Sequence, residues 1–280
     1  MNPQNEMTTA TDTPQRSGLV PLLHRLVFIS FLICTALWCG CLLGIFPTGA
    51  IRWTEPLLPL LALATTLMTL ARNLPVQNVI TAAVLISLFA GIVQIVGEKT
   101  GIPFGPYYYT DNFGPALFGL LPWPAPIIWV VAMLNSRGIA RLIMRPWRKM
   151  GKYGFWVIGL TCVIMVIFDL GLEPFGTRVS HYWAWRAPKT VPAWYAAPWV
   201  NFLGWAVTAL LILVFVTPWL INKNRGSSKA PRDYQPLIVW LCLSLLFAAG
   251  DAGQGLWWAA GFTLAASAIV TIFALRGARW

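Results

Sequence analysis

The sequence predicts an all-α protein, a polytopic bundle of about eight transmembrane helices (seven possible) with both termini in the cytoplasm. Three observations predict it. Hydrophobic residues make up 58% of the 280 residues and charged residues only 10%, against about 25% charged in an ordinary soluble domain. The apolar residues gather into runs of roughly 20, the length that crosses a bilayer as a helix. The basic residues fall between those runs and mostly on alternate sides, as the positive-inside rule requires.

In chain order, residues 1–18 are polar and rich in Thr, Gln and Asn. They lack the basic-then-apolar order of a signal peptide and are expected to form a disordered cytoplasmic tail. Residues 19–280 are expected to form a single transmembrane domain. Its candidate spans are 22–45, 54–71, 76–97, 115–134, 153–172, 198–221, 236–250 and 255–275. The second and seventh are short. Only Gly250-Asp251-Ala252-Gly253-Gln254 separates the seventh from the eighth, which leaves the seven-helix count open.

With eight spans, Arg52, Lys99, Arg178, Arg186 and Lys189 face one side, and the other 15 of the 20 Lys and Arg residues face the opposite one. That split places both termini in the cytoplasm and the multi-pass chain in the cell (inner) membrane. The net charge of +11 is thereby explained by topology, and no nucleic-acid partner is expected. The five cysteines lie inside apolar runs without CxxC spacing and read as small buried apolar side chains.

The orientation puts three unusual segments, 98–115, 169–198 and 250–255, on the non-cytoplasmic side. Of nine acidic residues, Glu98, Asp111, Asp169, Glu173 and Asp251 sit at or near the outer helix ends. Ionisable groups at membrane depth are costly and mark function. Asp169 and Glu173 are four residues apart, a spacing that stacks two carboxyls on one helix face. Close carboxyls resist simultaneous ionisation, so the pair predicts a proton donor beside a base. Pairing with Arg178 or Lys99, or marking of the interface, is the structural alternative.

Glu98 opens a segment whose Gly and Pro spacing imposes a fixed non-helical turn, and Asp111 reads as a turn residue. Tyr107, Tyr108 and Tyr109 either line a pocket or join an interfacial aromatic belt. The loop after Glu173 carries Phe175, His181, Tyr182, Trp183, Trp185, Trp194 and Tyr195, with Trp199 and Trp205 beyond it. Ring faces stabilise nearby cations. Asn201, inside an apolar stretch, needs a partner and is expected to position a water or a carboxyl group.

Absences narrow the chemistry. Two histidines cannot build a multi-histidine di-iron site. No strand-linked GxGxxG, DDxxD, GxSxG or Walker A motif is present. No metal and no cofactor are expected; what remains is cofactor-free acid–base chemistry, or none.

Three segments in order carry a family resemblance. They are Glu98-Lys99-Thr100-Gly101-Ile102-Pro103-Phe104-Gly105-Pro106-Tyr107-Tyr108-Tyr109-Thr110-Asp111, then Asp169-Leu170-Gly171-Leu172-Glu173-Pro174 followed by Tyr182-Trp183-Ala184-Trp185, then Pro198-Trp199-Val200-Asn201-Phe202-Leu203-Gly204-Trp205. Over roughly 80–210 the chain resembles the membrane carotenoid 1,2-hydratases of the bisanhydrobacterioruberin hydratase and gamma-carotene 1'-hydratase type. One departure is Glu173, where the family pattern has Asp before the proline; the carboxyl is kept but reaches one methylene further.

The resemblance implies a cofactor-independent hydro-lyase that adds water across the C1=C2 bond of an acyclic carotenoid, lycopene-like or bisanhydrobacterioruberin-like, giving a tertiary alcohol. Asp169 and Glu173 would then be the acid–base pair, with Glu98 assisting. Tyr107, Tyr109, His181, Trp183, Trp185, Asn201, Trp205 and Asp251 would bind substrate. Membrane lipid and other carotenoid-pathway enzymes are the expected partners. Two other readings stay open: end-group cyclisation on the same scaffold, which shares the protonation step, and a non-catalytic transporter or lipid-binding protein. For a transporter, 98–107 and 173–182 share a loose Glu, Pro-Phe-Gly, aromatic order, but both face one side, which does not suit an inverted repeat.

Overall fold

Eight α-helices build the molecule: α1 (Leu19–Leu42), α2 (Leu57–Ala71), α3 (Val76–Thr100), α4 (Pro124–Ile143), α5 (Tyr153–Pro174), α6 (Trp199–Val216), α7 (Gln235–Gly253) and α8 (Trp257–Ala278). The computed structural model describes residues 18–47, 49, 51, 54–186, 188, 190–221 and 232–280. The expected tail, apart from Gly18, lies outside the described residues, as do Arg52, Lys189, Lys223, Arg225 and Lys229.

Seven of these helices are long and apolar enough to cross a membrane, which makes this a multi-pass membrane protein. Large apolar side chains face outward in quantity; Leu203 is 63% exposed and Trp258 83%. In water such a surface would aggregate; in lipid it is the solvated face. The eighth helix, α2, has 15 residues, about 22 Å at 1.5 Å per residue.

The sequence left α7 and α8 open to fusion, and they are separate. Gly255 takes a left-handed φ of +72°, and the Leu256 N–H turns back to the Asp251 carbonyl at 2.8 Å. The seventh span is also longer than expected, at 19 residues, so only the second is short.

The fourth span needs the largest correction: it starts at Pro124, not 115. The apolar run Pro115 to Trp123 is a hairpin, β2 (Ala116–Leu117) against β3 (Leu121–Pro122), with Phe118 and Gly119 at positive φ in its turn. Pro124 then opens the helix, where a missing N–H does no harm. At its other end α4 runs to Ile143, so Arg137 and Arg141 are helical residues rather than loop residues, and Arg137 is buried. α4 is the central helix, packing against α2, α3, α5, α7 and α8, with Trp129, Ala132 and Met133 fully enclosed.

Both described chain ends lie at one end of the bundle. The His24 ring meets the Thr69 hydroxyl, Thr69 donates to Gln235 Oε1, and Arg232 donates to the Arg279 carbonyl. At the opposite end, two further strand pairs cover the helices: β1 (Tyr107–Tyr109) with β4 (Trp183–Trp185), and β5 (Ala193–Trp194) with β6 (Ala197–Pro198).

Candidate active site

Asp169 and Glu173 lie one turn apart on α5 and are buried, with 0% and 3% exposed. α5 ends just beyond them at Pro174, which has no N–H to continue the ladder. A π-helical turn, Phe175–Val179, follows; such turns occur often at functional sites. Asn201, near the start of α6, bridges the two carboxyls. Its Nδ2 donates to Asp169 Oδ2 at 2.7 Å and to Glu173 Oε1 at 3.1 Å. The buried amide therefore has the carboxyl partners that its apolar setting demanded.

The other oxygen of Glu173 is held from β4. Trp183 Nε1 donates to Oε2 at 3.1 Å and Trp185 Nε1 at 2.9 Å. Alternate residues of a strand share a face, which is why two tryptophans separated by Ala184 converge on one oxygen. The same period operates in β1, whose register pairs Tyr107 with Trp185 and Tyr109 with Trp183. Antiparallel pairing thus joins two segments about 75 residues apart in sequence into one wall.

Facing Glu173 is a second polar cluster. Tyr107 Oη donates to Gln94 Oε1 at 2.8 Å, and Tyr109 Oη donates to the same oxygen. Burial raises both tyrosine pKa values above the usual range, and the nearby charges of Glu98 and Glu173 act in the same direction. Both phenols therefore remain protonated donors at neutral pH.

Two glycines allow this approach. A Cβ on Gly176 would lie 2.3 Å from the Trp183 ring, and one on Gly204 would lie 2.8 Å from both Phe104 and the Pro103 carbonyl. Gly176 lets the indole pack directly against the π-helical turn, and Gly204 lets α6 close against the loop before β1.

Between the polar clusters is a cavity of about 40 Å³, lined by Gln94, Tyr107, Tyr109, Glu173, Asn201 and the Trp129–Trp205 pair. Those two indoles stack at 4.1 Å between centroids. The space suits a water molecule or so, with several polar partners within reach. Phe113, Ile128 and Leu172 form part of this wall and also part of the wall of a larger apolar cavity of about 340 Å³. That cavity lies among α1, α2, α4, α5 and α7. Tyr182 donates to Glu55 Oε1 at 2.8 Å on its margin.

Of the residues singled out in the sequence, Glu173, Asn201, Tyr107, Tyr109, Trp183, Trp185 and Trp205 line the small cavity, and Asp169 supports it from behind through Asn201. The remaining three lie apart. Glu98 is half-buried on α3, close enough to act on the tyrosines by charge. His181 is exposed at φ +52°, the turn residue that feeds β4; its ring meets the Thr177 carbonyl and its own carbonyl accepts from Thr110. Asp251 is enclosed at the end of α7, with neither carboxyl oxygen partnered among the described residues, and lines neither cavity. Asp111 sits in an exposed 3-10 turn. Among the described residues, neither Lys99 nor Arg178 pairs with the two carboxyls.

Sequence reasoning passed over Gln94, Phe113, Trp129 and the Glu55–Tyr182 pair. Gln94 carried a usable signal, an amide inside an apolar span, the same one that drew attention to Asn201. Phe113 and Trp129 carried none, because an isolated ring in an apolar chain is ordinary core.

No solved structure matches the chain. It is similar to the bisanhydrobacterioruberin hydratase of Haloarcula japonica, 25% identical over 135 residues, a stretch covering 48% of this chain and 43% of that protein. The family described as "carotenoid biosynthesis protein" matches residues 54–270, a range that runs from the start of α2 into α8 and contains every residue of both cavities except Trp38 and Leu42. The chain therefore belongs to the family of carotenoid biosynthesis proteins.

Proposed function

We propose that the protein is a carotenoid hydratase that adds water across the terminal C1=C2 bond of an acyclic carotenoid. The observation that carries this reading is the set of three N–H donors fixed on Glu173 within a small cavity beside a large apolar one. A carboxylic acid gives up its proton more readily when donors already wait for its anion. Two indoles and an amide do so for Glu173, the carboxyl that fronts the cavity.

In this reading the polyene lies in the larger apolar cavity, and its end group reaches past Phe113 and Leu172. Glu173 protonates C2, leaving a tertiary cation at C1 next to the Trp129–Trp205 stack, whose ring faces favour positive charge. A water held near Gln94, Tyr107 and Tyr109 forms the new C–O bond to C1. Its surplus proton returns to the carboxyl pair, so atoms balance as alkene plus water to tertiary alcohol. Asp169 is a positioning residue: one turn behind Glu173, it is joined to it through Asn201.

The similarity to a protein named as a hydratase supports this reading, as do the three sequence segments that meet at the site. The 15:5 charge split supports cytoplasmic termini in the cell membrane, with this site toward the opposite face and 19–280 as one transmembrane domain. Acyclic carotenoid and membrane lipid are the partners it implies. Expression in a lycopene-producing host tests it. A pigment heavier by one water is expected. An isobaric product would instead indicate cyclisation, and bound but unchanged pigment would indicate a carrier.

A further inference from the structure

The opposite end of the bundle, where α1 begins and α8 ends, contains a cavity of about 540 Å³ lined by Arg137, Arg141, Arg145 and Arg148. Their spacing of four, four and three residues brings them to one side of α4 and the turn that follows it. Arg137 lies roughly 9 Å inside the helix end at 1.5 Å per residue. It is only 7% exposed. Its guanidinium donates to the backbone carbonyl of Leu220 at 3.1 Å, and no carboxylate pairs with it among the described residues. A buried cation without a counter-charge is expensive.

Asp233, which accepts the Gln235 N–H at 3.1 Å, is the one acidic residue in the described lining, against four arginines. The other described Asp and Glu side chains all belong to the opposite half of the bundle. Thr217 also lines the cavity, and its buried hydroxyl has no partner among the described residues. The positive-inside rule accounts for basic loops on this side. It does not account for an arginine drawn into the bundle, nor for four arginines around one opening.

We propose that this cavity binds a phosphate-bearing anion. Guanidinium forks match phosphate oxygens in pairs, and the Thr217 hydroxyl adds a further donor. Two sources carry that chemistry. One is an anionic phospholipid headgroup, with its acyl chains leaving along the apolar part of the lining, including Leu134, Val157 and Ile158. The other is inorganic phosphate from the aqueous phase. The proposal stands independently of the hydration chemistry at the other end.

The test uses the full-length protein purified in a maltoside detergent. Its melting temperature is followed against phosphatidylglycerol mixed micelles, inorganic phosphate, and chloride at matched ionic strength. Phosphatidylglycerol, phosphate or both should raise the melting temperature beyond the chloride control, by mass action on the folded state. Response to phosphatidylglycerol alone identifies the lipid, and response to phosphate alone the soluble anion. The paired change Arg141→Gln with Arg148→Gln, at the exposed mouth, should weaken the effect at least tenfold with little change in the unliganded melting temperature. Arg137→Gln should abolish it; if that variant does not fold, the paired variant still decides. No response beyond chloride, or an equal response in wild type and the paired variant, would overturn the proposal.

Discussion

The two ends of this bundle treat buried charge in opposite ways. At one end, two carboxyls are enclosed among N–H donors supplied by Asn201, Trp183 and Trp185. At the other, Arg137 is enclosed with one backbone carbonyl as its hydrogen-bond partner among the described residues and with further arginines around the same cavity. At the first site both oxygens of Glu173 and one oxygen of Asp169 accept from N–H donors within the protein. The second gathers four arginines and one aspartate around one cavity, the arrangement from which anion binding is proposed. A buried group thus reports more through its partners than through its charge, and the comparison can be broken from either side.

The largest effect is expected from Glu173→Gln. It keeps shape and removes the proton, so hydration should fall by about 10³-fold, within the range for loss of a general acid, while pigment still co-purifies. Next comes Asn201→Leu, which takes a donor from both carboxyls at once; product formation in the same host should drop on the order of 10²-fold, as for other preorganised donors. Trp185→Phe keeps the ring and deletes one N–H, and a loss of about tenfold is expected, since Trp183 still holds the same oxygen.

Gly176→Ala acts on the frame. Its Cβ would lie 2.3 Å from the Trp183 ring, so a thermal melt should show destabilisation of about 1–3 kcal/mol from overpacking, with activity falling as the indole shifts. The smallest effect on hydration, within about twofold, is expected from Arg141→Gln, because the two ends share no side chains; additivity holds for distant sites. An Arg141→Gln loss as large as that of Asn201→Leu would show that the ends are coupled.

Much of this fold was legible in the chain. Hydropathy located the eight helices, and the i,i+4 spacing put Asp169 and Glu173 on one face. The misreading at Pro115 to Trp123 has a physical cause: hydropathy records that a segment is apolar, not whether Phe118 and Gly119 turn the backbone back on itself. The site was legible in its α5 and α6 members and in the rings of β1 and β4. Gln94 carried the signal of an amide inside an apolar span, whereas Phe113 carried none, and the closure of the wall depends on β1 pairing with β4, a long-range register that local pattern does not encode. His181 and Asp251 drew attention as rare polar groups near the right end. The turn after α5 and the closure of α7 on α8 carry them away from the cavities.

Hydration driven by Glu173 takes the product's oxygen from water and requires the carboxyl's proton. The most direct measurement incubates purified protein with an acyclic carotenoid in oxygen-18 water and analyses the pigment by mass spectrometry. One heavy oxygen per hydrated end is expected with the wild type and none with Glu173→Gln, which should still retain pigment. A product without the label, or equal labelling by Glu173→Gln, would contradict hydration driven by Glu173.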